Sequence, residues 1–161
     1  EELSRIFFEF GEIQQSKKLA EFIVKIRSIK KIVTNFDLIE VLKDSGVNFR
    51  SKKIHFATKA FQALRIECNK ELENLITLLG KIHSYIRNDG ILAILSFHSL
   101  EDRIVKKYFK SNEFSQKKGF SNNSNWGYQL LTKKPIVPSK LEVKENNRSR
   151  SAKLRVGRLV N

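Results

Sequence analysis

Six polar side chains stand close together near the middle of the chain: Ser96, His98, Ser99, Glu101, Asp102 and Arg103. An imidazole, two carboxylates, two hydroxyls and a guanidinium at this density could move a proton, accept a hydrogen bond from an amine, or hold a phosphate. A turn at Asn88-Asp89-Gly90 and an apolar run over residues 91–95 lead into them. The pattern reads as a buried strand that delivers polar groups to its carboxyl end, where open α/β sheets bind ligands. Each group also has a structural alternative. His98 could hydrogen-bond the backbone and fix the turn. Ser99 and Asp102, spaced S-x-x-D, suit the start of the next helix, and that is the preferred reading of Ser99. Glu101 and Asp102 could accept from a substrate, orient His98, or serve the same helix start.

The surrounding elements follow from periodicity. Leu3, Ile6, Phe7 and Phe10 share one helical face, and Leu19, Phe22, Ile23 and Ile26 share another. Thr34 can cap a third helix carrying Leu38, Ile39 and Leu42, with Asp37 completing a short-armed capping box. Residues 47–56 are a basic connector with Arg50, Lys52, Lys53 and His55. Spacing by threes and fours from Ala57 to Ile86 predicts one long helix, or two broken near Asn69. Residues 91–97 do not alternate, which predicts a strand covered on both faces in a parallel sheet. A basic helix follows to about residue 110, turning Ile104, Val105, Tyr108 and Phe109 inward. Residues 111–127 read as a polar surface loop, and residues 128–131 as a strand. Ser139 to Glu142 forms a capping box opening a short helix. Residues 153–160 form a last strand with Leu154, Val156 and Leu159 inward.

Composition narrows the partners. The net charge is +14. Residues 1–102 carry 16 basic and 14 acidic side chains, whereas residues 103–161 carry 15 and 3. A positive field so concentrated favours a polyanion, nucleic acid first. Cys68 is the one cysteine, which excludes an internal disulfide and fits a reducing cytoplasm. No apolar run approaches the ~20 residues of a membrane span. The glycines form no G-x-G nucleotide loop, and three scattered histidines argue against a metal site. The absence of Met, with a start inside a helical pattern, suggests a piece of a longer protein.

Three blocks carry a resemblance. Phe97-His-Ser-Leu-Glu-Asp-Arg-Ile-Val-Lys-Lys-Tyr-Phe109 resembles the hallmark of the bacterial small-subunit rRNA cytosine-N4 methyltransferases of the H type. Ala57-Thr-Lys-Ala-Phe-Gln-Ala-Leu-Arg-Ile66 with Asn69 is similar to a second family block. Lys134-Pro135 through Arg148-Ser-Arg-Ser-Ala-Lys-Leu-Arg155 is similar to a third, and the segment from Glu2 to Glu12 to the start of the family's helical insert. Phe56 stands where the family usually has Pro, and Lys59 where it commonly has Arg, which gives up bidentate contacts.

The resemblance implies an α/β fold: a Rossmann-like class I methyltransferase domain with an all-α inserted helical domain. Residues 1–50 would belong to the insert and residues 51–161 to the carboxyl-terminal part of the catalytic domain. The part holding S-adenosylmethionine would lie upstream, so this chain alone should bind that cofactor little or not at all. The implied reaction is methylation of the N4 amine of a cytidine in 16S rRNA of the small ribosomal subunit, in the cytoplasm. The expected partners are that RNA, no membrane, and a homodimer. The alternatives are a non-catalytic basic RNA-binding module and, more weakly, a protein-interaction domain over residues 1–46.

A cytosine amine is a weak nucleophile because its lone pair is delocalised into the ring. An acceptor on its N–H would localise that pair, and His98, Glu101 and Asp102 are the candidates. His55, Arg65, Arg103, Arg148, Arg150, Lys153 and Arg155 are the candidate RNA contacts, with guanidinium groups suited to phosphate. Gln62 lies three positions before Arg65 on a common helix side. Trp126 could stack on an unpaired base. Tyr128 reads instead as core.

Overall fold

A computed structural model gives the fold and describes residues 1–48, 55, 57–115 and 119–161. Arg50, Lys52, Lys53 and Phe56 lie outside the described residues. The chain divides into two compact units, Glu1–Glu71 and Leu72–Asn161.

The first unit is helical: α1 (Glu2–Glu9), α2 (Ser16–Ile29), α3 (Asn35–Asp44) and α4 (Thr58–Asn69). Their apolar stripes meet in one core. Phe7, Leu19, Ile23, Val41 and Leu42 pack with Ala57, Ala60 and Ala63 of the α4 segment. Small alanines on α4 leave room for the fully buried Phe7 ring. Thr34 Oγ1 accepts from the Asp37 amide at 3.1 Å while the Asp37 carboxylate accepts from the Thr34 amide at 2.8 Å. The capping box read from sequence is therefore present at α3. The long periodic stretch is two helices, because Lys70 turns left-handed at φ 52° between α4 and α5 (Glu71–Ile82).

The second unit follows α5 with a 3-10 turn (His83–Tyr85), then β1 (Ile91–Ser96) and α6 (Ser99–Ser111). Next come the short strands β2 (Phe114–Ser115) and β3 (Gly119–Phe120), then β4 (Gly127–Leu130), α7 (Lys140–Glu145) and β5 (Lys153–Val160). The main sheet has the order β1-β5-β4 and both pairings are antiparallel. The parallel arrangement expected for β1 is thus corrected. So is its expected coverage, for Ile91, Ala93 and Leu95 are exposed while Leu92, Ile94 and Ser96 point to the packed side. The strand is apolar from Ile91 to Leu95, yet within the described residues only one of its faces is covered.

α6 covers that packed face with Val105 and Phe109, which share a core with Tyr128 and Leu159. The register opposes Leu95 with Leu154, Ile94 with Arg155 and Leu92 with Gly157. Strand alternation therefore puts Arg155, Gly157 and Leu159 on the packed side and Leu154 and Val156 on the other. The expected inward set of Leu154, Val156 and Leu159 mixed the two parities. A methyl group on Gly157 would lie 2.8 Å from the Phe109 ring and 3.2 Å from Tyr128 Cβ. Both neighbours are locked in the core, so Gly157→Ala is expected to cost about 1–3 kcal/mol by overpacking. A fall of several degrees in the unfolding midpoint of the second unit checks this, and an unchanged midpoint refutes it.

The polar segment after α6 is not all loop. β2 and β3 pair antiparallel in a two-stranded sheet. Asn122 Nδ2 donates to Asn112 Oδ1 at 2.7 Å and Ser121 Oγ to the Ser111 carbonyl at 2.8 Å, tying the segment to the end of α6.

Candidate active site at the turn from β1 to α6

The turn holds its polar groups through reciprocal caps. His98, with extended backbone, is the residue that caps α6. Its Nδ1 accepts from the Glu101 amide at 3.3 Å. In return, Glu101 Oε2 accepts from the amides of Phe97 at 2.8 Å and His98 at 3.2 Å. The cap is therefore His98 with Glu101, one position earlier than the Ser99 and Asp102 pair read from sequence. Ser99 is already the first helical residue, and its hydroxyl makes no cap. An acceptor at Nδ1 puts the proton of the neutral imidazole on Nε2. That Nε2 lies 3.4 Å from Glu101 Oε1. The His98 side chain is 8% exposed and that of Glu101 25%.

Asp102 faces the other way, into the sheet. Arg155 Nε donates to its Oδ1 at 2.8 Å and a second guanidinium nitrogen to Oδ2 at 3.3 Å. Lys153 Nζ adds a third donor at 3.2 Å. Burial alone would raise the Asp102 carboxyl, but the hydrogen bonds from Arg155 and Lys153 outweigh it and hold it below the ordinary value. The pair ties the first turn of α6 to the start of β5. Ser96 Oγ adds a bond to the Lys153 carbonyl at 3.3 Å.

The residues expected to meet RNA fall into distinct places. Arg155 is buried and Lys153 half-buried, both engaged by Asp102. Arg148 and Arg150 are exposed in a 3-10 turn (Asn147–Ser151) just before β5, and Arg150 donates to the Asn147 carbonyl at 3.0 Å. Arg103 is exposed on α6. Trp126 is half-buried, with one face stacked on His83 at 4.0 Å between ring centroids and nearly parallel. Tyr128 is core, as its sequence reading had it, and its hydroxyl lies 3.2 Å from that of Tyr108. In the first unit, His55, Gln62 and Arg65 border one cleft of about 390 Å³ with Phe61 and Thr58. Arg65 is paired there with Glu71 through two bonds of 2.8 and 3.0 Å.

Sequence reasoning overlooked two features. Phe97 is half-exposed at the strand end, directly before the capping pair. Its apolar type joined it to the core run, although its place at the end of β1 was the available signal. Arg155 was grouped with its basic neighbours, although it shares strand parity with buried Leu159.

The turn can thus present one carboxylate and one aromatic ring at the end of an apolar strand, while His98 Nε2 is buried. Comparison with known proteins places the chain in a lineage. Residues 1–159 match the MraW methylase family. The chain is 40% identical over 161 residues to a Brachyspira hyodysenteriae protein named ribosomal RNA small subunit methyltransferase H, covering 99% of this chain and 52% of that one. Proteins of the same name from Petrotoga mobilis and Thermotoga neapolitana are 44% and 43% identical, covering 97% and 99% of this chain and 50% and 49% of theirs. The chain spans about half the length of the curated relatives it matches. The resemblance carried by the three sequence blocks is borne out across nearly the whole chain, which belongs to the MraW methylase family.

Proposed function

We propose that this chain is the carboxyl-terminal half of an S-adenosylmethionine-dependent enzyme that methylates the N4 amine of a cytidine in small-subunit ribosomal RNA. The observation that carries the proposal is the His98–Glu101 turn at the end of β1, in a chain of this family. A carboxylate offers about four lone-pair positions, and the two backbone amides on Oε2 use two of them. Oε1 is the oxygen that accepts the amine proton and restores nucleophilic character to nitrogen. His98 holds the turn through Nδ1, and its Nε2 lies 3.4 Å from Oε1. Phe97 gives the base a ring to stack on. Asp102 is a positioning residue, since its oxygens are turned to Arg155 and Lys153.

S-adenosylmethionine would supply the methyl group. This chain's glycines form no G-x-G loop, and the main residues that hold it are assigned to the rest of the enzyme. We assign the complete catalytic domain a Rossmann-like class I fold, with residues 1–50 as its helical insert and 51–161 as its second part. β1 supports this reading. It is an edge strand among the described residues, and its exposed Ile91 and Leu95 suit burial by further elements. The enzyme would work in the cytoplasm; no helix among the described residues is long and apolar enough to cross a membrane.

The test is direct. The full-length protein is supplied with S-adenosylmethionine and small-subunit rRNA from a strain lacking the gene. N4-methylcytidine at one position is the expected product, read by mass spectrometry of nuclease digests. No methylated cytidine would sink the proposal.

A further inference from the structure

α6 carries a second feature beyond its cap. Arg103, Lys106, Lys107 and Lys110 are all exposed, while Leu100, Asp102, Val105 and Phe109 are buried. The four cations stand at i, i+3, i+4 and i+7, which makes them a single stripe. It runs about 10 Å along the helix at 1.5 Å per residue. No acidic residue lies between Arg103 and Ser111. Lys106, Lys107 and Lys110 have no carboxylate partner among the described residues. Like charges three and four residues apart on a helix face repel. The pairs that Lys110 makes with Lys106 and Lys107 have no acidic residue on the stripe to offset them, a role an external anion can fill.

We propose that this stripe is a phosphate track: an RNA strand lies along the outside of α6, leading to the turn at His98 and Glu101. The inference rests on the RNA-modifying reading above and deepens it. A length of about 10 Å suffices for contacts to two or three successive phosphates of one strand. The stripe takes over a role that the sequence suggested for Lys153 and Arg155, which are engaged by Asp102. A lipid surface fits less well. Amphipathic helices that lie on membranes bury their apolar face in the bilayer, and that face of α6 is packed in the protein core.

The experiment measures binding of the full-length protein to an unmodified small-subunit rRNA transcript over a range of salt. Releasing counterions from single-stranded phosphates contributes about 0.7 to the log–log slope per contact. Lys106→Gln/Lys107→Gln/Lys110→Gln is expected to flatten the slope by about 2 and weaken binding at least ~10-fold at low salt. Lys107→Gln alone, a minimal change at an exposed site, should flatten it by under ~1. A slope unchanged in both variants overturns the proposal. So does a loss per charge no larger than that of Lys133→Gln/Lys134→Gln, which would mean a diffuse field. Binding of phosphatidylserine vesicles through the same lysines, with RNA binding unaltered, also overturns it. The slope is read without methyl transfer, so failure of the methylation assay leaves this result to be judged separately.

Discussion

Asp102→Asn is expected to lower the stability of the second unit by about 3–5 kcal/mol, out of a total for such a domain of roughly 5–15 kcal/mol. The side chains of Asp102 and Arg155 are 12% and 11% exposed. Removing the carboxylate charge leaves a guanidinium without its counter-charge in the core, beside a lysine that shared it. The loss comes mainly from that stranded cation, so removing both partners should do less harm. Asp102→Leu/Arg155→Met is expected to recover most of the stability, as exchange of a buried pair for well-packed apolar groups often does. The readout is the fluorescence of Trp126, the one tryptophan, which packs edge-on against Tyr128 in this core. Equal stability for the Asp102→Asn variant and the wild-type protein would show that the pair contributes nothing. The pH dependence gives a second check. A carboxyl held below its ordinary value of 3.8 stabilises fully above that value and loses its contribution as pH falls through the lowered one. The stability gap between wild type and Asp102→Asn should therefore narrow only below about pH 4.

The same ion pair marks where sequence reasoning reached its limit. Helices α1 to α3 were legible because their apolar spacing and the Thr34 cap are local signals. The β1 strand and its polar end were legible for the same reason. The pairing of Asp102 with Arg155 spans 53 residues, and no local pattern announces it. Parity along β5 could have put Arg155 with Leu159 rather than with Leu154. A guanidinium suits an RNA phosphate as well as a buried carboxylate, so residue type alone does not separate the two. The cap shifted by one residue for a similar reason. Ser is a commoner cap than His, yet Glu101 reaches back to two amides only from a helix capped at His98. The open face of β1 was unreadable because an apolar strand looks the same whether its cover lies in this chain or in another segment.

Glu101→Gln should separate the cap from the chemistry. Glutamine is nearly the same shape, and its carbonyl oxygen can accept from the amides of Phe97 and His98 as Oε2 does. The helix start should survive with a loss under ~1 kcal/mol, the scale of a single cap. The cap also dictates which way the new amide faces. With its oxygen held by two N–H groups, its NH₂ takes the position of Oε1. There it presents a donor to His98 Nε2, itself a donor when neutral. It presents the same donor to a substrate amine, which needs an acceptor. In the full-length enzyme, kcat for cytidine methylation is accordingly expected to fall at least ~100-fold, the lower end of what a positioned proton acceptor contributes. RNA affinity should change little, since the phosphate contacts proposed for α6 lie elsewhere. Glu101→Ala, which also deletes the cap, should lose the same activity and about 1 kcal/mol of stability besides. Retention of wild-type kcat by Glu101→Gln would assign Glu101 to the cap alone and require another acceptor for the amine.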